Sequence, residues 1–495
     1  MKSYDVIVIG GGVLGCFALR EMTKYNVSAA LFERREDLCT GISRANTAIV
    51  YSGCDTKPGT IKTDMCVRSA QNFDKLCEEL GVRYRRCGSL MVSFGPSGEK
   101  SLRKKYENSI KNGVRDVRLL SGSEVLTIEP GLSPDVTLGL FVPDTGTVNP
   151  WELCLAAAQN AIDNGAQLFF NTEVTGISPA HRGYIIQTVG GEFFTRGVIN
   201  CAGLGSDKVH EMVNMPQVRI VPTTGDYLVL DTKAAGAVRH VVFHEPEERR
   251  KGLTLVPTID GNILIGPTEN NFAGGKPYNS SLEGIKLLHE LAAKVAPKLP
   301  MEHVIRSFGA MRPNPFRVAE QGGGQYAITK ESVSDFCILT PGENFGFVSL
   351  VGIKTPGLTC AHELGLHVSG IMANTLGLSE NKTFNPRRGI PVRLSDLPFD
   401  ARAALVQRDP AYGKIICRCR EISEGEIIEA IRQNPGAVTV DGVKRRVGAT
   451  SGRCQGSFCT QRIIEIMATE TGRKPEAIEK DEPGSYIIGG GAYDV

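Results

Sequence analysis

No window of this chain reaches the roughly 18–20 uninterrupted apolar residues that cross a bilayer. Its first residues, Met1-Lys2-Ser3-Tyr4-Asp5, run straight into an apolar strand, without the basic, apolar and small-residue order of a secretory signal. Both absences lead to the expectation of a cytoplasmic protein. Neither sign of charge is in excess: 56 Lys and Arg face 54 Asp and Glu, a formal net charge of +2. That balance argues against polybasic binding of nucleic acid or a membrane surface. Internal repeats and low-complexity tracts are also missing. With 41% hydrophobic and 22% charged residues, the 495-residue chain is neither fibrous nor disordered. At ~100–200 residues per domain it makes about two to four domains.

Two residue types are not scarce. Glycine, at 56 copies, is ~11% of the chain against a usual ~7%, which signals close backbone approaches such as those around a bound nucleotide. Cysteine has 14 copies, and in a reducing compartment these are thiols or metal ligands rather than disulfides. Ten of them, Cys16 and Cys201 among them, stand singly in apolar contexts as small core residues. The other four cluster near the C-terminus.

The apolar run Val6–Ile9 is followed at once by Gly10-Gly-Gly12-Val-Leu-Gly15. Helical spacing then runs through Cys16–Tyr25, and a second strand, Val27–Phe32, ends at Glu33. Strand, G-x-G-x-x-G, helix, strand and acid is a dinucleotide-binding pattern. Gly10, Gly12 and Gly15 allow the turn, the approach to a pyrophosphate and close helix packing, and the helix N-terminus draws the phosphate charge. Glu33, 18 residues after Gly15, falls where a carboxylate meets ribose hydroxyls. The chain returns to the nucleotide later. Gly197–Gly205 reads as a strand ending in the small residues Ala202 and Gly203, and Phe345–Gly352 as a strand leading into Ile353–Thr359 and a helix. A helix N-terminus there can face a flavin ring. No second complete G-x-G-x-x-G follows, which argues against a separate NAD domain.

Between the returns, Gly88–Phe94, Asp226–Asp231, Gly252–Pro257 and Asn262–Gly266 alternate in the manner of an antiparallel sheet, and Glu283–Ala296 reads as a helix. The expected fold is α/β. A Rossmann-like nucleotide-binding domain has parts at about 1–85, 145–220 and 315–385, and an inserted antiparallel-sheet substrate domain occupies about 86–144 and 221–314. A linker is expected over 386–412, a small metal-binding domain over 413–470, and a tail over 471–495, with Gly489–Gly491 flexible. In the metal-binding domain, Cys417-Arg-Cys419 is followed 35 positions later by Cys454 and then by Cys459. Four thiolates in two close pairs suit a [2Fe–2S] cluster or a tetrahedral zinc. Neither pair has the C-x-x-C spacing of a zinc ribbon, and Arg418, Arg420, Arg445 and Arg453 would offset a cluster's negative charge. The cluster is the favoured reading, with zinc and unligated thiols as alternatives.

Four stretches carry a resemblance: Ser43-Arg-Ala-Asn46 leading to Tyr51-Ser-Gly53, Asp144–Pro150, Ser307–Pro313 and Gly352–Thr359. They resemble the D-amino-acid-oxidase-like flavoproteins, and within them the FAD-dependent glycerol-3-phosphate dehydrogenases and oxidases. Cys417–Cys419 through Cys454-Gln-Gly-Ser-Phe-Cys459 resembles the bacterioferritin-associated-ferredoxin-like domain, which the large subunit of the anaerobic glycerol-3-phosphate dehydrogenase carries. The resemblance implies FAD held by Gly10, Gly12, Gly15, Glu33, Ser43, Arg44, Asn46, Val174, Ala202, Gly203, Gly352, Pro356, Gly357, Leu358 and Thr359. It implies a [2Fe–2S] cluster on Cys417, Cys419, Cys454 and Cys459, and substrate chemistry at Tyr51, Arg312 and Lys354. Arg312 would clamp the anionic end of the substrate, and Lys354 would help hold a phosphate or tune the flavin.

One position departs from the family. Tyr51 stands where its members usually have a histidine, and a tyrosine near pKa ~10 is a poor base at neutral pH. Tyr51 therefore orients substrate, or the base lies elsewhere, with His244 and His362 as candidates, or the substrate differs. The resemblance implies oxidation of sn-glycerol 3-phosphate to dihydroxyacetone phosphate, with electrons leaving through the iron–sulfur domain to a partner, a second flavoprotein or acceptor subunit. The alternatives are a small 2-hydroxy acid such as L-2-hydroxyglutarate, or a secondary amino acid, because Arg312 suits any of these anions. A non-enzymatic assembly or iron-sensing role, and a structural zinc module that docks a partner, are the remaining classes.

Overall fold

The computed structural model describes residues 1–246, 252–272, 274, 278–340 and 346–489. It divides into two compact units, Met1–Arg388 and Gly389–Val495.

In the first unit the run Lys2–Ile9 forms the middle strand of a sheet. Val6, Ile7 and Val8 are fully buried, because helices or other strands cover both faces and a continuous apolar run then has no side left for water. Lys2–Ile9 pairs in parallel with Ala29–Phe32 on one side and Gly191–Asn200 on the other. Gln167–Phe169 extends the first side, and Phe347–Val351 the second. Phe345, the first residue of that expected strand, lies outside the described residues. Helix Val13–Met22 begins three residues before the helical run expected at Cys16–Tyr25, since the helix starts directly on the glycine turn with Gly12 as its N-cap. It packs between helices Pro150–Asp163 and Ala361–Leu376. Of the ten scattered cysteines, all but Cys87 are buried in this unit, as apolar residues would be.

Among the described residues a second sheet, of ten strands, carries the regions expected to alternate. The chain contributes Ser89–Ser93, Thr254–Pro257 and Ile263–Ile265. Asp226–Asp231 proves to be the end of a longer strand, Val218–Leu230, which pairs antiparallel with Val304–Gly322 and sets Arg312 opposite Thr223. Helix Leu282–Val295, capped by Ser281, covers this sheet with Leu288, Ala292 and Val295 buried. The mixed α/β architecture expected from the sequence is the one observed.

The second unit packs helices Glu424–Arg432, Val440–Val447 and Thr460–Thr471 around Ile427, Val443, Ile463 and Met467. Ser423 and Glu426 close a reciprocal capping box on the first of them. The stretch expected as a linker contains a helix, Phe399–Arg408. Its flanks bond into this unit: the Leu394 N–H donates to Glu426 (3.2 Å) and the Tyr412 hydroxyl to Glu429 (3.0 Å). Much of the expected tail is also packed. Ile478 is 1% exposed, and the N–H of Asp441 donates to Lys480 O at 2.7 Å. Gly490 and Gly491 lie outside the described residues. Among the described residues, no helix is long and apolar enough to cross a membrane.

Candidate active site

The glycine turn is built by contact. A Cβ on Gly10, whose φ is +106°, would sit 2.5 Å from the Cys201 carbonyl oxygen, and one on Gly15 would sit 1.9 Å from the Gly10 oxygen. With those positions bare, the helix N-terminus faces outward with no side-chain cap on Gly12 and no acidic residue in its first turn. Such an end attracts an anion. Ser43 is drawn to it, its hydroxyl accepting the Val13 N–H at 3.0 Å. Glu33 stands at the end of the neighbouring strand, its carboxylate accepting the N–H of Gly11 (2.6 Å) and of Arg35 (2.9 Å). Burial pushes its carboxyl above the usual value, against the pull of those two amides and of Arg34 and Arg35. An anion-seeking helix end beside a fixed carboxylate is the donor set that a dinucleotide needs, so the residues present fit FAD.

The other residues expected around FAD gather at the same end of the sheet. Arg44 lies 3.9 Å over the Tyr278 ring, and its carbonyl accepts the Trp151 indole N–H. Asn46 braces the loop by donating to Ser43 O and accepting from the Ala48 N–H. Val174 and Ala202 pack against one buried cluster, and the Ala202 N–H is held by Asn200 at 3.2 Å. Gly203, with φ of +58°, makes the turn after it.

Strand Phe347–Val351 delivers the segment Gly352–Thr359. The Gly357 N–H closes on Lys354 O at 2.7 Å, the Cys360 N–H on Pro356 O at 3.0 Å, and Leu358 packs on the nucleotide core. The Thr359 hydroxyl accepts the Tyr51 N–H at 3.0 Å. This single side chain stitches the Tyr51 loop to the turn. The Lys354 ammonium donates to Asn314 Oδ1 at 3.2 Å, and Arg312 lies two residues before Asn314 on the same strand. The Arg312 guanidinium donates to Thr268 O (3.1 Å) and Thr224 O (3.4 Å), with Glu269 at 3.9 Å. Burial, and then the charge of Arg312, holds the Lys354 ammonium below its usual value although Glu269 opposes this. Tyr51 is 3.5 Å from the Thr47 hydroxyl, and burial pushes its phenol well up despite the nearby Arg312. Tyr51, Arg312 and Lys354 are thus brought together, and Tyr51 stays protonated at neutral pH.

The two histidine candidates have other surroundings. His362 sits 3.5 Å from the buried Glu21 carboxylate and beside the Phe17 ring. His244 is buried edge-on to Phe94. Sequence reasoning missed Tyr227, Asn314 and Lys62. Tyr227 is buried beside Arg312, with its phenol pushed up to about 12 by burial, and is stacked on Phe308. Lys62 lines a cavity of about 270 Å³ with Tyr51, Asp55 and Pro356. Its only signal was a lysine at the start of a helix, and nothing local distinguishes that from a solvated surface charge.

In the second unit Cys417 and Cys459 are buried while Cys419 is exposed. The thiols stand as two hydrogen-bonded pairs, Cys417 with Cys459 and Cys419 with Cys454. Among the described residues no three His, Cys, Asp or Glu side chains form a single-ion site. Backbone amides are aimed at the sulfurs, those of Thr450 and Arg420 at Cys417 and those of Phe458 and Gly456 at Cys454. The bond from Cys459 draws the Cys417 thiol down to about 6. Its partner Cys459 is pushed up by the same bond; two close cysteine pairs under amide donors fit a two-iron cluster. Of the arginines expected to balance it, Arg445 is buried and ion-paired to Asp481 at 2.6 Å.

Residues 5–370 match the FAD dependent oxidoreductase family. The chain belongs to that family. Residues 415–469 of this FAD-dependent oxidoreductase match the BFD-like [2Fe-2S] binding domain, so its cofactors are FAD and a [2Fe–2S] cluster. It is 40% identical over 489 residues to a glycerol 3-phosphate dehydrogenase of Caloramator mitchellensis, covering 98% of each chain. It is 30% identical over 286 residues to the human mitochondrial L-2-hydroxyglutarate dehydrogenase, covering 54% of this chain and 61% of that one. Its fold is similar to that of the FAD-bound L-alpha-glycerophosphate oxidase of Mycoplasma pneumoniae, with a TM-score of 0.70 and 24% identity over 79% of this chain and all of the other.

Proposed function

We propose that this enzyme oxidises sn-glycerol 3-phosphate to dihydroxyacetone phosphate and passes the electrons through its [2Fe–2S] domain to a partner subunit. The observation that carries the reading is the 40% identity to a glycerol 3-phosphate dehydrogenase over 98% of both chains, a span that takes in the iron–sulfur domain. FAD, when bound, accepts the hydride from the substrate carbon. The chain's own residues do the rest. The Arg312 fork and the Lys354 ammonium take the anionic end of the substrate and favour negative charge developing on the reacting oxygen. Tyr51, held protonated by burial, donates to and orients the substrate hydroxyl rather than removing its proton, which passes to water as the hydride leaves. A cluster relays single electrons, which suits a dehydrogenase with a separate acceptor in the cytoplasm better than direct reaction with oxygen.

A 2-hydroxy acid is the second reading, favoured by the likeness to L-2-hydroxyglutarate dehydrogenase and by a clamp that accepts a carboxylate equally well. Anaerobic titration of the visible spectrum separates the two. Bleaching of the flavin band by glycerol 3-phosphate, but not by L-2-hydroxyglutarate or proline, is the expected result; bleaching by L-2-hydroxyglutarate alone would transfer the assignment. In the same assay Cys419→Ser is expected to lose the cluster's absorbance and onward transfer to an added acceptor while the flavin still bleaches. Undiminished onward transfer without a cluster would remove the relay from the scheme.

A further inference from the structure

The cavity of about 270 Å³ beside Tyr51 is lined from one side by Lys62, at the start of helix Ile61–Leu80, and from the other by Thr355 and Pro356, next to Lys354. Lys62 is fixed in place. Its backbone N–H and that of Ile61 donate to the Asp335 carboxylate (2.9 and 3.1 Å), which also accepts the Phe336 N–H at 2.7 Å. The Lys62 ammonium donates to the Ser334 carbonyl, a bond that uses one of three N–H groups and leaves two. Lys62 and Lys57 both line the cavity, Lys62 lies within reach of the Lys354 charge, and Lys354 within reach of that of Arg312. Asp55 in the cavity and Asp335 behind it are the carboxylates that face Lys62. Burial and then the charge of Lys354 hold the Lys62 ammonium below its usual value, which Asp335 and Asp55 only partly offset. An anion placed between the two lysines relieves that opposition.

Counting oxygens separates the substrate classes. A carboxylate has two oxygens and one charge, which Arg312 and Lys354 satisfy between them. A phosphate monoester has three oxygens and nearly two charges at neutral pH, so one oxygen is left over for a third cation. We propose that Lys62 is that cation: the cavity is the outer half of a phosphate subsite, and Lys62 sets the preference for a phosphate dianion over a carboxylate. This rests on the substrate reading above and deepens it.

The test compares Lys62→Met and Lys62→Arg with the wild type as purified holoenzymes. In anaerobic flavin bleaching, Lys62→Met is expected to raise the half-saturating glycerol 3-phosphate concentration about tenfold or more, the effect of losing one charge-assisted bond. The limiting bleaching rate should stay within about threefold, since a uniform binding contact leaves the chemical step alone, and Lys62→Arg should recover most of the affinity. Independently, inorganic phosphate should raise the melting temperature of the wild type and of Lys62→Arg, but not that of Lys62→Met. An unchanged half-saturation, or an unchanged phosphate shift, in Lys62→Met overturns the proposal. If glycerol 3-phosphate does not bleach the wild type at all, the substrate reading falls by itself and the phosphate shift decides the role of Lys62.

Discussion

Gly15→Ala would strike the cofactor site through a single methyl group. Its Cβ would lie 1.9 Å from the Gly10 carbonyl oxygen, about 1 Å inside the 3.0 Å limit that real Cβ atoms respect. The obstacle is backbone, so no side chain can swing away. Gly10 cannot yield either: its N–H is tied to Phe32 O at 2.8 Å, and its own far side meets Cys201 O. Helix Val13–Met22 must therefore retreat by about 1 Å, and every residue of it except Leu14 is buried between neighbours. Overpacking of this kind costs about 1–3 kcal/mol. The retreat would also draw the helix-end amides away from the pyrophosphate of a bound FAD. At roughly 1.5 kcal/mol for each of two amides bonded to a charged group, FAD affinity should fall about a hundredfold. The assay is the flavin-to-protein ratio after purification, followed by refilling with FAD. The expected variant is largely flavin-free and refills only at high FAD. Gly370→Ala, in helix Ala361–Leu376 with nothing within 4 Å of its Cβ, is the control and should keep full flavin. Gly15→Ala purified with one FAD per chain and an unshifted melting curve would refute the reasoning.

Two further perturbations test separate parts of the molecule. Arg312→Ala removes the fork that Thr224 and Thr268 hold in place; losing a buried charge contact costs about 2–5 kcal/mol. Half-saturation in the bleaching assay should therefore rise by about thirtyfold or more with FAD retained, and unchanged kinetics would retire the clamp. Glu21→Gln breaks a buried pair in which Arg20 Nη1 lies 2.5 Å from the Glu21 carboxylate, with an expected loss of about 3 kcal/mol at pH 7. Burial alone would raise the Glu21 carboxyl, but His362, Arg20 and Lys24 outweigh it and hold it below its ordinary 4.5. Its stabilisation is then complete above that value and disappears as the pH falls through the lower folded one. Because His362, 3.5 Å from Glu21, takes up its proton between pH 7 and 5, urea unfolding should show a gap between wild type and variant that is full by pH 5 and closes in stronger acid as the Glu21 carboxylate is protonated; a gap that persists undiminished in stronger acid would contradict the assignment.

What could be read from the sequence was what is encoded locally. Gly10 to Gly15 between two apolar runs, and the acid at Glu33, announce their geometry because every participant lies within one short stretch. The thiols were legible for a similar reason, since cysteine pairs at close spacing have few other uses in a reducing compartment. The Tyr51 cavity was only half legible. Lys62 acquires meaning only when the segment Ser334–Phe336 and the turn at Thr355 are folded against it, and Asn314 only when Lys354 reaches it. The helix at Phe399–Arg408 was hidden by its flanks: Pro386, Pro391 and Pro398 read as loop punctuation, although Pro398 serves as the N-cap of that helix.

The place of the first strand has a consequence for how the protein is made. Lys2–Ile9 leaves the ribosome well before its partner Gly191–Asn200, which follows almost 200 residues later, and the strand beyond that, Phe347–Val351, comes much later again. At about 5–20 residues per second, the apolar segment Val6–Ile9 waits on the order of ten to forty seconds before its second edge can be covered. Ala29–Phe32 is available early and shields only one side. The nascent chain therefore carries an open, sticky strand edge until Gly191–Asn200 emerges, and the burden of keeping it apart from other nascent chains falls on whatever binds emerging apolar segments in the cell.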